Sequence, residues 1–132
     1  RVARLHTVVL GARRKARSLR RTPLEALPWI SVELSGLSTP ESRWLAARVP
    51  RPPVMVCSSY QVQLAAIRAG LGVGVGPRVY ADFDRDFIAL DDPSGALPTL
   101  DVYVVARRAI RSLPRVAAVF DALSECFAEL GR

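Results

Sequence analysis

Residues 54–77, VMVCSSYQVQLAAIRAGLGVGVGP, carry the signals of a strand, a helix and a second strand in one unbroken run. Val54-Met55-Val56-Cys57 is apolar at every position, the pattern of a strand covered on both faces, as in a parallel sheet under helices. Ser58-Ser59 supplies hydroxyls that can cap a helix, Tyr60, Leu64 and Ile67 recur at helical spacing toward Ala69, and Gly70 provides a left-handed stop. From Gly70 to Pro77 the alternation puts Leu71, Val73 and Val75 on one strand face and bare backbone on the other. Something must therefore approach the glycine face closely. A dinucleotide fingerprint does not fit, because these glycines follow a helix, lead into a strand and lack the GxGxxG spacing.

Outward from this run, strand and helix signals keep alternating. Upstream, residues 2–10 read as a strand, the basic run 11–21 as a solvated loop, and Thr22-Pro23 with Glu25 as the capped start of a short helix. Trp29-Ile30-Ser31-Val32 is the next strand. Ser38-Thr39-Pro40-Glu41 then opens a helix that carries Trp44 and Leu45 until Pro50 and Pro52-Pro53 stop it. Downstream, 77–83 reads as a short helix, and 87–90 and 100–105 as strands. From Pro114, Val116, Val119, Phe120, Leu123, Phe127 and Leu130 form one apolar helical stripe. The alternation predicts an α/β domain with a mostly parallel sheet flanked by helices.

Composition narrows the function classes. A length of 132 residues fits one domain, and no apolar stretch approaches the roughly 20 residues of a membrane span. The net charge of +7 is concentrated in GARRKARSLRR, and from residue 22 onward 11 positive charges face 12 negative ones. That run can hold phosphates through sequence-independent electrostatics, or simply be solvated, and it has no recognition-helix pattern. Cys57 and Cys126 each sit in an apolar segment outside any CxxC pair, so two buried, reduced thiols are expected, with a redox-sensitive Cys57 as the alternative. A chain beginning at Arg1 without an export signal reads as a fragment of a cytoplasmic protein.

Catalytic chemistry finds little footing. His6 is the sole histidine and lies inside a strand signal, which leaves a histidine triad or multi-histidine metal site without partners. Asp82, Asp84 and Asp86 begin like a calcium loop, but Phe87 stands where glycine is needed. Lys15, the sole lysine, lacks a glycine-rich phosphate loop. No enzyme activity, cofactor or metal is expected.

Leu27-Pro28-Trp29-Ile30, the run from Val54 to the "GLG" turn and Pro77, and Ser112-Leu113-Pro114-Arg115-Val116 together resemble the effector-binding domain of LysR-type transcriptional regulators. The resemblance implies a type 2 periplasmic-binding-protein-like fold in which two lobes joined by crossover strands hold a small effector. It places residues 1–12 in the first crossover strand, 13–98 in the second lobe, and 99–132 in the return strand and closing helix of an incomplete first lobe. Carried over by position, Ser58, Ser59, Tyr60 and Gln61 at the helix start and Ser35 with Gly36 after the second strand are the effector-binding candidates. Hydroxyl-capped helix starts favour anions, so a small anionic metabolite is expected, although an ordinary cap explains Ser58 and Ser59 equally well. The resemblance also implies a homodimer or homotetramer, with DNA contacted only through an N-terminal helix-turn-helix that these residues do not contain. A solute-binding protein of a transport system is the alternative on the same architecture.

Overall fold

The computed structural model describes residues 1–92 and 94–130, and in it the glycines of 70–77 meet the protein's own atoms, backbone at Gly72 and Gly74 and side chains at Gly70 and Gly76. Leu71 is exposed and does not share the buried face of Val73 and Val75. The elements run β1 (Ala3–Ala12), α1 (Ala16–Arg21), β2 (Ile30–Leu34), β3 (Leu37–Ser38), α2 (Pro40–Arg48), β4 (Met55–Cys57), α3 (Tyr60–Arg68), β5 (Gly74–Pro77), α4 (Val79–Phe83), β6 (Phe87–Leu90), β7 (Thr99–Val102) and α5 (Pro114–Leu130). They divide into two compact units. One is His6–Pro98; the other is Arg1–Leu5 with the described residues from Thr99 onward.

Within His6–Pro98, β2 pairs parallel with β4, while β1 lies antiparallel to both β5 and β6. A parallel bridge between Trp29 and Val73 joins these ladders, flanked by Ile30 N–H to Val73 O at 2.7 Å and Val73 N–H to Pro28 O at 2.9 Å. β2, β4, β5 and β6 thus share one direction, and β1 alone among the longer strands runs against them. This close seam explains the glycines. A Cβ on Gly72 would stand 2.2 Å from Pro28 O, and one on Gly74 would stand 2.5 Å from Gln63 Nε2 and 3.1 Å from Ile30 O. No exogenous group is needed to account for the bare face.

Successive residues of the sheet enter opposite layers of the core, as a strand's period of two dictates. Val9, Trp29, Val73 and Val75 pack with Leu45 and Val49 around α2, while Val8, Leu10, Ile30 and Val32 pack with Ala66 and Ile67 of α3. α3 ends as its sequence predicts: Gly70 takes φ +78°, Gly70 N–H reaches Ile67 O, and Leu71 N–H reaches Ala66 O, the paired bonds of a Schellman stop.

Several local expectations are corrected. The basic run is not a solvated loop: a 3-10 turn (Arg13–Lys15) and α1 occupy it, and its first cations bond to carbonyls. Thr22 closes α1, donating to Ser18 O at 2.9 Å, and caps nothing downstream. β4 is not covered on both faces, since Val54 and Val56 are 65% and 53% exposed. Cys126 is exposed, unlike Cys57. The strand expected over 100–105 is shorter and starts earlier, at Thr99–Val102.

In the smaller unit β7 pairs with β1, Val2 N–H bonds to Val102 O at 2.8 Å, and Arg4 pairs with Asp101 at 2.9 Å. The expected stripe of α5 forms on one face, yet no residue of the helix is buried, and Val119, Leu123 and Leu130 are exposed.

Candidate functional site

β2 and β4 run parallel with Val32 level with Cys57, so the residues leaving both strands emerge at one edge of the sheet. The carboxyl edge of parallel strands is where open α/β sheets hold ligands, because helix N-termini and loops gather there. Two helices of nine residues begin at this edge: α3 after β4, and α2 after the β2–β3 hairpin.

Ser58 and Ser59 differ in role. Ser59 is the N-cap of α3, in extended backbone, and its hydroxyl accepts from Val62 N–H at 3.2 Å. Ser58 precedes the cap and is exposed, as is Gln61. Tyr60 turns away from solvent and donates its phenol to Glu41 Oε1 at 3.1 Å. Burial, and then the neighbouring Glu41 carboxylate, push the Tyr60 pKa up to about 12, so the phenol is a neutral donor at physiological pH.

Ser35 and Gly36 lie at the same edge for a different reason. Leu34 pairs with Leu37, leaving these two residues as a hairpin turn with φ +53° and +75°. Positive φ at both central positions is the type I′ pattern that matches strand twist. Nothing lies within 4 Å of a Cβ built on Gly36, so its backbone angle, and no close neighbour, is what favours glycine there. The structure brings Ser58, Ser59 and Tyr60 together at one helix start and sets Ser35 and Gly36 on the adjoining hairpin.

Sequence reasoning marked Glu41 only as the acid of a capped helix start and missed its burial. It sits in the first turn of α2, where a carboxylate suits the helix dipole, but it is 4% exposed and its Oε2 has no partner. Thr39 beside it is also buried: its hydroxyl donates to Val32 O at 3.0 Å and accepts from Ser42 N–H at 3.1 Å, and Ser42 closes the reciprocal capping bond. A Thr-Pro-Glu start is legible as a cap, whereas the burial of its acid depends on Tyr60, 19 residues away in sequence. Among the described residues no group of three or more His, Cys, Asp or Glu is placed to hold a metal ion.

Chemically, this edge offers hydroxyls and the free N–H groups of a helix start, with the buried Glu41 carboxylate behind Tyr60, and no nucleophile–base pair among the described residues. Over residues 1–128 the sequence matches the LysR substrate binding domain. This chain belongs to that family. The LysR domain has a type 2 periplasmic-binding-protein-like fold, and solved relatives agree with it in three dimensions. The regulatory domain of HypT from Salmonella typhimurium, solved in apo and bromide-bound forms, is similar in its apo form with TM-score 0.59 at 15% identity, over 98% of this chain and 64% of that one. DarR from Vibrio fischeri, in complex with DNA, gives TM-score 0.62 at 12% identity over 90% of this chain and 43% of that one. Full-length LysG from Corynebacterium glutamicum with bound effector Arg gives 0.58 at 18% identity, over 97% and 45%. The chain thus spans less than two thirds of each of these relatives. No curated protein matches the sequence. Among the described residues no helix is long and apolar enough to cross a membrane.

Proposed function

We propose that this LysR-type domain senses a small anionic metabolite at the start of α3 and so controls transcription in a cytoplasmic, homo-oligomeric regulator whose DNA contacts lie in a separate head. The observation that carries this reading is the exposed Ser58 hydroxyl immediately before the Ser59 cap, at the shared carboxyl edge of β2 and β4. The donors there match an oxyanion, since a helix start presents N–H groups and a partial positive charge. HypT binds a bromide ion in its regulatory domain and LysG binds Arg as effector, which favours ligand sensing over solute transport or catalysis as the use of this fold. Tyr60 and Glu41 brace the helix start from behind, Gln61 faces outward beside it, and the Ser35-Gly36 turn forms the adjoining rim.

On this reading residues 1–12 are the first crossover strand, 13–98 the second lobe, and 99–132, whose last two residues lie outside the described range, the return strand and closing helix. The test is calorimetry with a panel of small carboxylates and amino acids on the full regulator. Ser58→Ala is expected to weaken the ligand found by roughly tenfold, the loss of one charge-assisted hydrogen bond, with little change in stability. Unchanged affinity in Ser58→Ala and in the Ser58→Ala/Ser59→Ala double variant would refute the assignment.

A further inference from the structure

We propose that the far end of α3 carries a second, phosphate-binding site formed by Arg13, Arg14, Arg68 and Arg85. These four arginines line a concavity of about 460 Å³ together with Ala12 and Asp86. They come from the 3-10 turn after β1, the last turn of α3 and the turn between α4 and β6, a convergence that only the fold creates. The nine residues of α3 separate it from Ser58 by about 14 Å of helix, so it is distinct from the effector site proposed above.

Three of the four arginines are held in place. Arg13 donates through Nε to Arg85 O at 2.6 Å and through Nη2 to Phe87 O at 3.1 Å, and Arg14 donates to Ala69 O. Arg68 lies over the Phe87 ring at 5.0 Å and pairs with Asp84 at 2.5 Å. Carbonyls are neutral, so the charges of Arg13 and Arg14 stay uncompensated, and a guanidinium with five N–H donors keeps several free after one or two such bonds. Asp86, the carboxylate in the wall, is 3.7 Å from Arg68 Nε, but Arg68 is already paired with Asp84, so the four arginines face two carboxylates and two positive charges remain in surplus. Capping the negative end of α3 accounts for Arg14 and Lys15, and the strand-end bonds account for Arg13. Neither accounts for Arg85, whose side chain makes no ion pair or hydrogen bond among the described residues.

The lining selects the ligand class. Apart from Ala12 it holds no apolar side chain to grip an organic ring, so recognition rests on charge and on the guanidinium fork. A surplus of two positive charges in one wall suits a ligand with more than one negative charge, and the fork matches phosphate oxygens in pairs. A phosphate oxyanion satisfies both conditions, whether free or part of a nucleic-acid backbone.

The test is titration calorimetry of the chain with inorganic pyrophosphate at low ionic strength. One-to-one binding is expected, weakened roughly tenfold by Arg85→Ala with an unchanged melting temperature, since Arg85 supports nothing else. Arg85→Lys, which keeps the charge and loses the fork, should fall between. Absence of pyrophosphate binding, or equal binding by the parent and Arg85→Ala, would overturn the proposal. Duplex DNA of unrelated sequence serves as competitor: displacement of pyrophosphate assigns the site to backbone phosphates, and failure to compete assigns it to a free phosphate compound. The Ser58→Ala/Ser59→Ala variant should bind pyrophosphate normally, so failure here and failure of the effector assignment are separable.

Discussion

Single atoms decide much of this domain. A methyl group at Gly72 would collide with Pro28 O, a backbone atom that cannot move without breaking the bridge joining two ladders. Gly72→Ala should therefore destabilise by about 3 kcal/mol, at the upper end of overpacking costs, whereas Gly36→Ala should cost only the roughly 1–2 kcal/mol of a side chain in left-handed backbone. Urea unfolding of the two variants checks the ranking, and equal effects would show that the seam can open. Tyr60 gives a pH signature. Its folded pKa, pushed up to about 12, lies above the ordinary value of 10.0, so the folded state holds the proton longer than the unfolded chain does. Its contribution is fully present below pH 10 and is lost as pH rises toward 12. The stability gap between the parent and Tyr60→Phe should narrow over that interval, and a gap constant with pH would argue against the buried Tyr60–Glu41 contact. Gly70 and Leu71 belong to the helix stop and depart from the alternation, but from Gly72 to Gly76 the glycine face was legible in sequence, since period two sets the glycines opposite the buried Val73 and Val75. What approaches it was not, because Pro28 lies 44 residues away and only tertiary structure brings it there.

At the scale of elements, local chemistry sets the helix ends and tertiary packing sets what they bury. The caps at Thr39 and Ser59 and the stop at Gly70 were readable, since each depends on residues within one turn. The edge position of β4 and the ordered basic run were not, because both depend on which neighbour the strand or cation finds. Ser59→Ala should cost about 1 kcal/mol, and Thr39→Ala closer to 2 kcal/mol because Val32 O also loses its donor. Thermal unfolding of the pair tests this, and a smaller loss for Thr39→Ala would contradict the buried capping box. α5 is the contrasting element. It buries none of its residues, whereas α3 buries Gln63, Ala66 and Ile67. Hydrogen exchange should therefore be fast over 114–130 and slow over 60–68, and equal protection of the two helices would show that α5 is covered.

For the larger unit, the sheet brings the starts of α2 and α3 to one edge and four arginines to the other end of α3, so one helix links two chemically different surfaces. The hydroxyl-lined edge suits a sensed ligand, and the family to which the chain belongs uses this architecture for effectors. The fold class was legible because alternating strand and helix signals leave few architectures. Of the proposed site, the place of Ser58 and Ser59 at a helix start was legible, while the Glu41–Tyr60 hydrogen bond beside them was not, because it arises from a contact between two helices. The most direct measurement is an amide-resolved NMR titration of the full regulator with the small carboxylate or amino acid that calorimetry selects. The account predicts that the largest shifts fall on the amides of residues 58–62 and the 35–36 turn, and that they vanish in Ser58→Ala/Ser59→Ala. Shifts confined to other residues, or undiminished in that variant, would contradict it.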